Sequence, residues 1–313
     1  MCGIFGIIYY GSTTLPPLQA ASLRTLTSKL LLAAEMRGKD ASGVAILTGN
    51  DVVVYKAPLN ASRLLKTNGY ENVSTKINAD FHAIIGHARA QTKGTYKNNR
   101  NNHPIIADKI VGVHNGMISN DDSLFLQNKN VLVRAAQVDS EIIFRLLNHF
   151  LCNPDTTLIK AVQSTTKLLT GSYACAFIDS NRAKFITLFK HWNPIDILVV
   201  PAASLIVFAS VGFLARKALS DTSFAIFSVE EKHMPDNSGA RISIETGDIE
   251  FFPLPEYKSW PLHSVGAALL TAPKTIESPT ETVSSVKFRE VVSNTEFSEG
   301  NLSRFIRRIM RRN

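Results

Sequence analysis

The chain begins Met1-Cys2-Gly3-Ile4-Phe5-Gly6, and this stretch decides how the rest of the sequence is interpreted. Removal of Met1, which is expected because Cys2 is small, exposes a residue that carries both a thiol and a free α-amine. Such an amine has a reference pKa of roughly 7.7–8.0, so it can act as the general base for the neighbouring thiol. The apolar run that continues to Tyr10 has the length of a strand and predicts that the terminus is held in a sheet. A disordered end or a small buried cysteine is the alternative, and the remaining sequence decides between them.

Length and composition are those of a globular protein with one large domain or two ordinary ones. The 313 residues are 45 % hydrophobic and 19 % charged, with no apolar run of membrane-spanning length and no secretory signal. The three cysteines (Cys2, Cys152 and Cys175) have neither metal-ligand spacing nor a disulfide pattern, which predicts a cytoplasmic protein with no metal and no other cofactor. The net charge of +8 is clustered only at the C-terminus, which disfavours nucleic acid as a partner.

The hydrophobic pattern predicts helices and strands in separate blocks. Helical spacing runs from Leu18 to Met36, from Asp139 to about Leu151, and from Leu158 to Leu169. Strands are predicted at Val44–Leu47, Val52–Tyr55, His82–His87, Ile110–Val113, Ala174–Ile178, Lys184–Phe189, Ile195–Val200, Leu205–Ala209, Ala225–Val229 and Ile242–Ile244. Many short strands with helices kept apart from them favour an α+β layered fold over a parallel βαβ sheet.

The last fifty residues differ in composition from the rest. From about Thr271 the chain is rich in Ser, Thr, Glu and Pro, which predicts a disordered linker over residues 263–300. Residues 301–313 place Leu302, Phe305, Ile306, Ile309 and Met310 on one helical face with arginines on the others. This basic amphipathic helix could dock on a partner, a membrane surface or nucleic acid, or fold against its own domain; partner docking is the preferred functional interpretation.

Five motifs occur in an order that resembles the glutaminase domain of class II (N-terminal-cysteine) glutamine amidotransferases. They are Cys2-Gly3-Ile4-Phe5-Gly6, Arg37-Gly38-Lys39-Asp40, Gly86-His87-Ala88-Arg89 with Thr92-Lys93-Gly94, His103-Pro104 followed by His114-Asn115-Gly116, and Asp139-Ser140-Glu141. The resemblance covers about residues 2–260 and defines a predicted domain over residues 1–262. It implies an Ntn-hydrolase-like αββα sandwich, in which two antiparallel sheets lie between helical layers.

The implied substrate, L-glutamine, offers an α-carboxylate, an α-ammonium and a carboxamide. Arg89 follows a buried-looking strand and can bind the carboxylate with a bidentate guanidinium. The resemblance assigns the ammonium to Asp139, although an aspartate that precedes a helix is also a favoured N-cap. Both roles are compatible if Ser140 is the cap. Thr92 is a further supporting contact to the substrate.

The oxyanion site is assigned by resemblance to Asn115 and Gly116. An Asn-Gly pair is also the strongest short signal for a hairpin turn. A tight turn would expose the Gly116 backbone N–H beside the Asn115 amide, so the structural and the catalytic interpretations are compatible. Together with the Cys2 nucleophile, these two residues complete the predicted catalytic set.

Several further residues are predicted to support the site rather than to react. These are Gly3, Arg37, Asp40, His87, His103 and His114. Arg37, Asp40 and Gly43 are expected to shape the loop that buries Cys2, and the histidines receive no proton-transfer role because the Cys2 amine supplies it. The sequence departs from the family pattern after Asp40, where Ala41 precedes Ser42, and at Lys93.

The resemblance implies a glutamine amidohydrolase whose ammonia goes to an acceptor. No glycine-rich phosphate loop follows residue 260, so the acceptor half is expected to lie outside this chain. The protein is then either a stand-alone glutamine hydrolase or a subunit that supplies ammonia to a synthase partner. The alternative from another class is a non-catalytic glutamine sensor or scaffold that keeps the fold.

Overall fold

The computed structural model describes residues 2–11, 14–49, 51–256, 270 and 287–291, which form two sheets flanked by helices. The first sheet has eight strands in the order β11 (Glu230–Lys232), β9 (Asp196–Val200), β10 (Leu205–Ala209), β1 (Gly3–Tyr9), β4 (Phe81–Arg89), β2 (Ala41–Thr48), β3 (Asp51–Ala57) and β14 (Lys287–Glu290). The second has six, in the order β13 (Ile249–Pro253), β12 (Ser238–Ser243), β8 (Phe185–His191), β7 (Gly171–Asp179), β6 (Ile110–Ile118) and β5 (Ile105–Ala107). All pairings are antiparallel except that between β14 and β3.

Seven α-helices in the described part of the chain cover the outer faces of the two sheets. They are α1 (Pro17–Glu35), α2 (Ala61–Leu64), α3 (Asn68–Ser74), α4 (Asp121–Gln127), α5 (Ser140–Leu151), α6 (Leu158–Thr166) and α7 (Gly212–Ser220). One buried cluster joins the eight-stranded sheet to α1, α2, α3 and α7, a second lies between the sheets, and a third joins the six-stranded sheet to α4, α5 and α6. This four-layer αββα arrangement confirms the predicted fold class, because each helix buries one apolar face against a sheet.

Strand β1 lies in the middle of the first sheet, as the apolar N-terminal run predicts. It pairs with β4 on one side, where Gly3 is opposite Ala88, and with β10 on the other, where Phe5 is opposite Ala209. All seven of its residues are buried because helices cover one face of the sheet and the second sheet covers the other. The end of β1 that carries Cys2 is therefore fixed within the fold.

Most predicted elements are confirmed, and three differ. Residues 225–229 do not form a strand; Ser223–Ile226 is a 3-10 turn followed by extended chain. Strand β6 continues beyond Val113 to Ile118, which carries Asn115 and Gly116 into the ladder. Strand β14, Lys287–Glu290, lies within the segment predicted to be a disordered linker. The domain boundaries stay predictions, and the predicted helix over residues 301–313 lies outside the described residues.

Candidate active site

Cys2 lies at the N-terminal end of β1, in contact with the chain that follows β4. Its Sγ atom lies 3.4 Å from the backbone nitrogen of Ala90 and 3.5 Å from the Ala90 oxygen. The Nε atom of Arg37 donates to the Cys2 carbonyl oxygen over 2.8 Å. A Cβ atom at Gly3 would lie 2.8 Å from the Ala34 oxygen, so the glycine lets α1 pack against the strand. Arg37 thus contacts Cys2 and Gly3 contacts α1, and the supporting role of both residues stays a prediction.

Cys2 is half-buried, and burial raises the pKa of its thiol. Its backbone contact with Ala90 and the positive charge of Arg89 oppose that rise, whereas the Asp139 carboxylate adds to it. A buried thiol with a raised pKa is protonated at neutral pH. It needs a base beside it to act as a nucleophile, because the thiolate is the reactive form.

Arg89 is the last residue of β4, and it is only 2 % exposed. Its Nη1 atom donates to Asn102 Oδ1 over 2.8 Å, and its Nη2 atom donates to the carbonyl oxygens of Lys93 and Gly94, each over 2.7 Å. Burial lowers the pKa of this guanidinium, and the charges of Cys2, Asp40 and Asp139 counteract the change. Arg89 therefore lies within electrostatic range of the thiol and of two carboxylates.

Asp139 directly precedes α5, but its side chain does not cap the helix. Its Oδ2 atom instead accepts the backbone N–H of Ile118 over 2.7 Å, which ties the carboxylate to the end of β6. The residue is 4 % exposed. The competing N-cap interpretation is therefore wrong, because the carboxylate turns toward β6 and lies within electrostatic range of Cys2 and Arg89.

Asn115 and Gly116 lie inside β6 and not in a tight turn. They pair with Ala174 and Tyr173 of β7, so the hairpin interpretation of this Asn-Gly pair is wrong. Gly116 has φ 146°, and a Cβ atom there would lie 2.0 Å from the Ser172 oxygen. The strand needs a glycine at this position for both reasons. The Asn115 Nδ2 atom is buried and has no hydrogen-bond partner among the described residues.

A contact between the sheets connects the strands that carry the predicted site residues. His87 lies opposite Ile4 in the first sheet, and its Nε2 atom is 3.0 Å from the carbonyl oxygen of His114 in the second. Asn115 is the next residue after His114 on β6, and Gly3 directly precedes Ile4 on β1. The predicted oxyanion residues and the predicted nucleophile thus lie at the same end of the sandwich.

The three predicted supporting histidines form a buried cluster behind this end. The rings of His87 and His103 stack with centroids 4.1 Å apart, and His114 Nδ1 lies 2.8 Å from the Ser140 hydroxyl. Burial lowers the pKa of His87 to about 3 and also lowers the pKa values of His103 and His114. All three rings are neutral near pH 7. In the described part of the chain, no group of three or more histidine, cysteine or acidic side chains is arranged to hold a metal ion.

The segment after Arg89 carries Thr92 and is held by a hydrogen bond to Asp40 and by ion pairs of Lys93. Thr92 is exposed, and Asp40 Oδ2 accepts the backbone N–H of Gln91 over 2.7 Å. The Lys93 ammonium lies 2.6 Å from Asp121 Oδ2 and 2.7 Å from Asp122 Oδ1, at the start of α4. Lys93, which departs from the family pattern, is thus the residue that ties this segment to the second layer of helices.

The sequence analysis missed Lys56, a lysine in β3 that is only 6 % exposed. Its Nζ atom donates to the carbonyl oxygens of Asn102 and Pro104, each over 2.9 Å. Burial lowers its pKa to about 8. The signal was a lysine at the end of the apolar run Val52-Val53-Val54-Tyr55, where a charged residue is uncommon and needs compensating contacts.

The layered fold and the placement of its N-terminal residue define the class of protein. A phosphoribosylpyrophosphate amidotransferase from B. subtilis has the same fold: it aligns with 80 % of this chain and 49 % of its own, with a TM-score of 0.56 and 17 % identity. A second structure, described as the allosteric regulatory enzyme of purine biosynthesis, aligns with a TM-score of 0.58 at 17 % identity over the same fractions. The chain has the fold of N-terminal-nucleophile hydrolases.

Sequence comparison finds similarity to glutamine amidotransferases. Residues 87–211 match a family described as a glutamine amidotransferase domain. The chain is 29 % identical over 196 residues to a glutamine–fructose-6-phosphate aminotransferase (isomerizing) of Bacillus cereus, covering 62 % of this chain and 30 % of the relative. It is 27 % identical over 248 residues to the Staphylococcus aureus (strain Mu50) protein of the same name, covering 76 % and 38 %. Over the matched residues the chain is similar to glutamine amidotransferase domains.

The chain spans about 30–38 % of the length of these two relatives, so their complete activities are not carried over with the match. Among the helices that the structure describes, none is long and apolar enough to cross a lipid bilayer.

Proposed function

We propose that this chain hydrolyses L-glutamine to glutamate and ammonia through a thioester on Cys2, once Met1 has been removed. The observation that supports it best is the convergence of a thiol, a buried guanidinium and a buried carboxylate at one end of the sandwich. Cys2, Arg89 and Asp139 lie within electrostatic range of one another. Arg89 would bind the α-carboxylate, Asp139 would bind the α-ammonium, and Thr92 would add a polar contact.

The reaction needs only groups of the chain, glutamine and one water. The α-amine of Cys2 takes the thiol proton as the sulfur attacks the carboxamide carbon. The Asn115 amide, whose Nδ2 has no other partner among the described residues, and the Gly116 N–H stabilise the oxyanion of the tetrahedral intermediate. Ammonia leaves with the proton that the amine returns. Water then hydrolyses the γ-glutamyl thioester, which releases glutamate and restores the thiol.

A separate acceptor for the ammonia is part of the proposal. The relatives that match are aminotransferases, and this chain aligns with only a fraction of their length. A synthase-type partner subunit would use the ammonia, and residues 301–313 are the proposed docking segment. We also propose a cytoplasmic location, because the Cys2 nucleophile needs a reducing environment.

The test is ammonia release from L-glutamine by full-length protein whose free Cys2 terminus has been verified by mass spectrometry. Cys2→Ala removes the nucleophile and is expected to abolish release. Cys152→Ala changes an exposed cysteine far along the chain and is the matched control, expected to retain full activity. An active Cys2→Ala protein would overturn the mechanism.

Glutamine binding without turnover by protein with a free Cys2 would favour the glutamine sensor instead. Co-purification with an acceptor enzyme, followed by glutamine turnover in its presence, would instead favour an amidotransferase subunit that is active only with its partner. Deletion of residues 301–313 is expected to weaken that association; unchanged assembly would reject the docking role of this segment.

A further inference from the structure

The Arg89 guanidinium is held by acceptors on two different segments. The Asn102 side chain accepts one N–H, and the carbonyl oxygens of Lys93 and Gly94 accept two more. These contacts occupy three of the five N–H groups of the guanidinium and leave two for a ligand. The direction in which Arg89 presents its remaining donors therefore depends on where those two segments lie.

Lys56 fixes the first segment from inside the protein. Its ammonium donates to the carbonyl oxygens of Asn102 and Pro104, which lie on either side of His103. The Glu290 and Glu141 carboxylates lie within electrostatic range of the Lys56 ammonium, and its hydrogen bonds go to these two peptide groups. The Asn102 amide also donates to the Tyr96 oxygen over 2.8 Å, which links this segment to the one that follows Arg89.

Lys93 fixes the second segment from outside. Its carbonyl oxygen accepts from Arg89, while its ammonium binds Asp121 and Asp122 at the start of α4. Asp121 is 2 % exposed and also binds Arg134 Nη2 over 2.9 Å, so the anchor is part of the packed structure. The Lys93 side chain is 36 % exposed, so this pair is accessible to salt.

We propose that Lys56 and Lys93 are positioning residues of the glutamine site. They orient Arg89 toward the α-carboxylate of the substrate, Lys56 from the protein interior and Lys93 from the partly exposed segment that follows Arg89. This inference rests on the proposed function. It adds the two residues that determine how tightly the site binds the α-carboxylate of glutamine. Neither lysine touches the substrate. Each acts through a carbonyl group: Lys56 through the backbone of Asn102, and Lys93 through its own.

The test compares two ligands that differ only at the carboxylate. L-Glutamine and its α-amide, L-glutaminamide, are titrated calorimetrically into full-length protein with Cys2→Ala, which removes turnover. The parent is expected to prefer glutamine, because only the carboxylate accepts charge-assisted hydrogen bonds from Arg89. Lys56→Met and Lys93→Met are each expected to reduce that preference about tenfold, the scale of one hydrogen bond to a charged group.

A general loss of structure would weaken the binding of both ligands equally. The ratio of the two affinities therefore distinguishes a misplaced Arg89 from a misfolded protein. Lys184→Met, which breaks an exposed pair with Glu245 at the opposite end of the sandwich, is the control expected to leave the ratio unchanged. Salt screens the partly exposed ion pairs of Lys93 with Asp121 and Asp122. Raising the salt concentration should therefore lower the preference of the parent for glutamine over glutaminamide toward the value for Lys93→Met. The contribution of buried Lys56 should persist at high salt.

An unchanged ratio in Lys93→Met and in Lys56→Met, with glutamine still bound, overturns the inference alone. Absence of glutamine binding to the Cys2→Ala parent overturns the proposed function and the inference with it. If Lys56→Met does not fold, Lys93→Met decides, because the Lys93 side chain is partly exposed and Arg134 still pairs with the buried Asp121 carboxylate.

Discussion

The Nε2 atom of His87 lies 3.0 Å from the carbonyl oxygen of His114, and this contact joins the two sheets beside the N-terminal cysteine. Burial lowers the pKa of His87 to about 3, so the ring is neutral and its Nε2 carries the proton that the carbonyl accepts. This hydrogen bond links β4, which pairs with β1 beside Cys2, to β6, the strand that holds Asn115.

Removal of the cross-sheet bond should destabilise the fold. His87→Ala leaves the His114 carbonyl unpaired in the interior and opens a cavity beside the stacked ring of His103. We expect a loss of about 2–4 kcal/mol in the free energy of unfolding, measured by urea titration. His82→Ala, on the same strand but partly exposed at the other end, is the control and should cost less than about 1 kcal/mol.

The histidine cluster should make stability fall as the pH is lowered below about 6.5. The pKa values of His87, His103 and His114 are lower in the folded protein than in the unfolded chain, where a histidine has a pKa near 6.5. Below that pH the unfolded state binds more protons, so the stabilisation present above pH 6.5 is lost toward the folded pKa. Each histidine contributes a slope of about 1.4 kcal/mol per pH unit.

The measurement is urea unfolding between pH 7.5 and 5.0, a range in which most carboxylates stay ionised. His87→Gln removes one titrating group and retains a side-chain donor, so its stability should depend less steeply on pH than that of the parent. Identical slopes for the two proteins would show that His87 does not carry this linkage.

Asn115 should separate activity from stability. Its Nδ2 atom has no partner in the described part of the chain, so Asn115→Ala removes an unsatisfied donor and is expected to change the free energy of unfolding by less than about 1 kcal/mol. If the amide binds the oxyanion, kcat for glutamine hydrolysis should fall by about 10²–10³, with a smaller change in KM. A large loss of stability with unchanged kcat per folded molecule would reject the catalytic role.

The sequence predicted the layers of this fold well, because apolar periodicity reports burial on each face. Helix α1 and the β2–β3 hairpin lie within a few residues of the predicted bounds. The errors have physical causes. The apolar letters of 225–229 look like a strand, but Ile226 is 83 % exposed and the segment lies outside the sheets. The Asn-Gly pair of β6 has the sequence of a hairpin turn. Gly116 does adopt a positive φ, but it does so while paired with β7 inside the strand.

The candidate site was predictable where chemistry left a motif, and less so where tertiary contacts define it. Cys2, Arg89 and Asp139 were predicted from ordered motifs, and the structure brings them together. Lys56 and Asn102 were not, because their role depends on carbonyl groups of distant segments that no local pattern encodes. Whether Asp139 capped its helix was equally undecidable without the bond to Ile118.

Glu141 should be a major determinant of stability behind the site. Its carboxylate is 1 % exposed and accepts the backbone N–H groups of Ala135 and Ala136, and it pairs with Arg145 Nε over 3.0 Å. Glu141→Ala leaves these donors unpaired in a buried setting and should cost about 3–5 kcal/mol in urea unfolding, as in other broken buried pairs. Glu141→Gln keeps the acceptor oxygen and should cost less. Glu245→Ala breaks an exposed pair and serves as the control, with an expected cost below about 1 kcal/mol; equal losses in Glu141→Ala and Glu245→Ala would contradict this account.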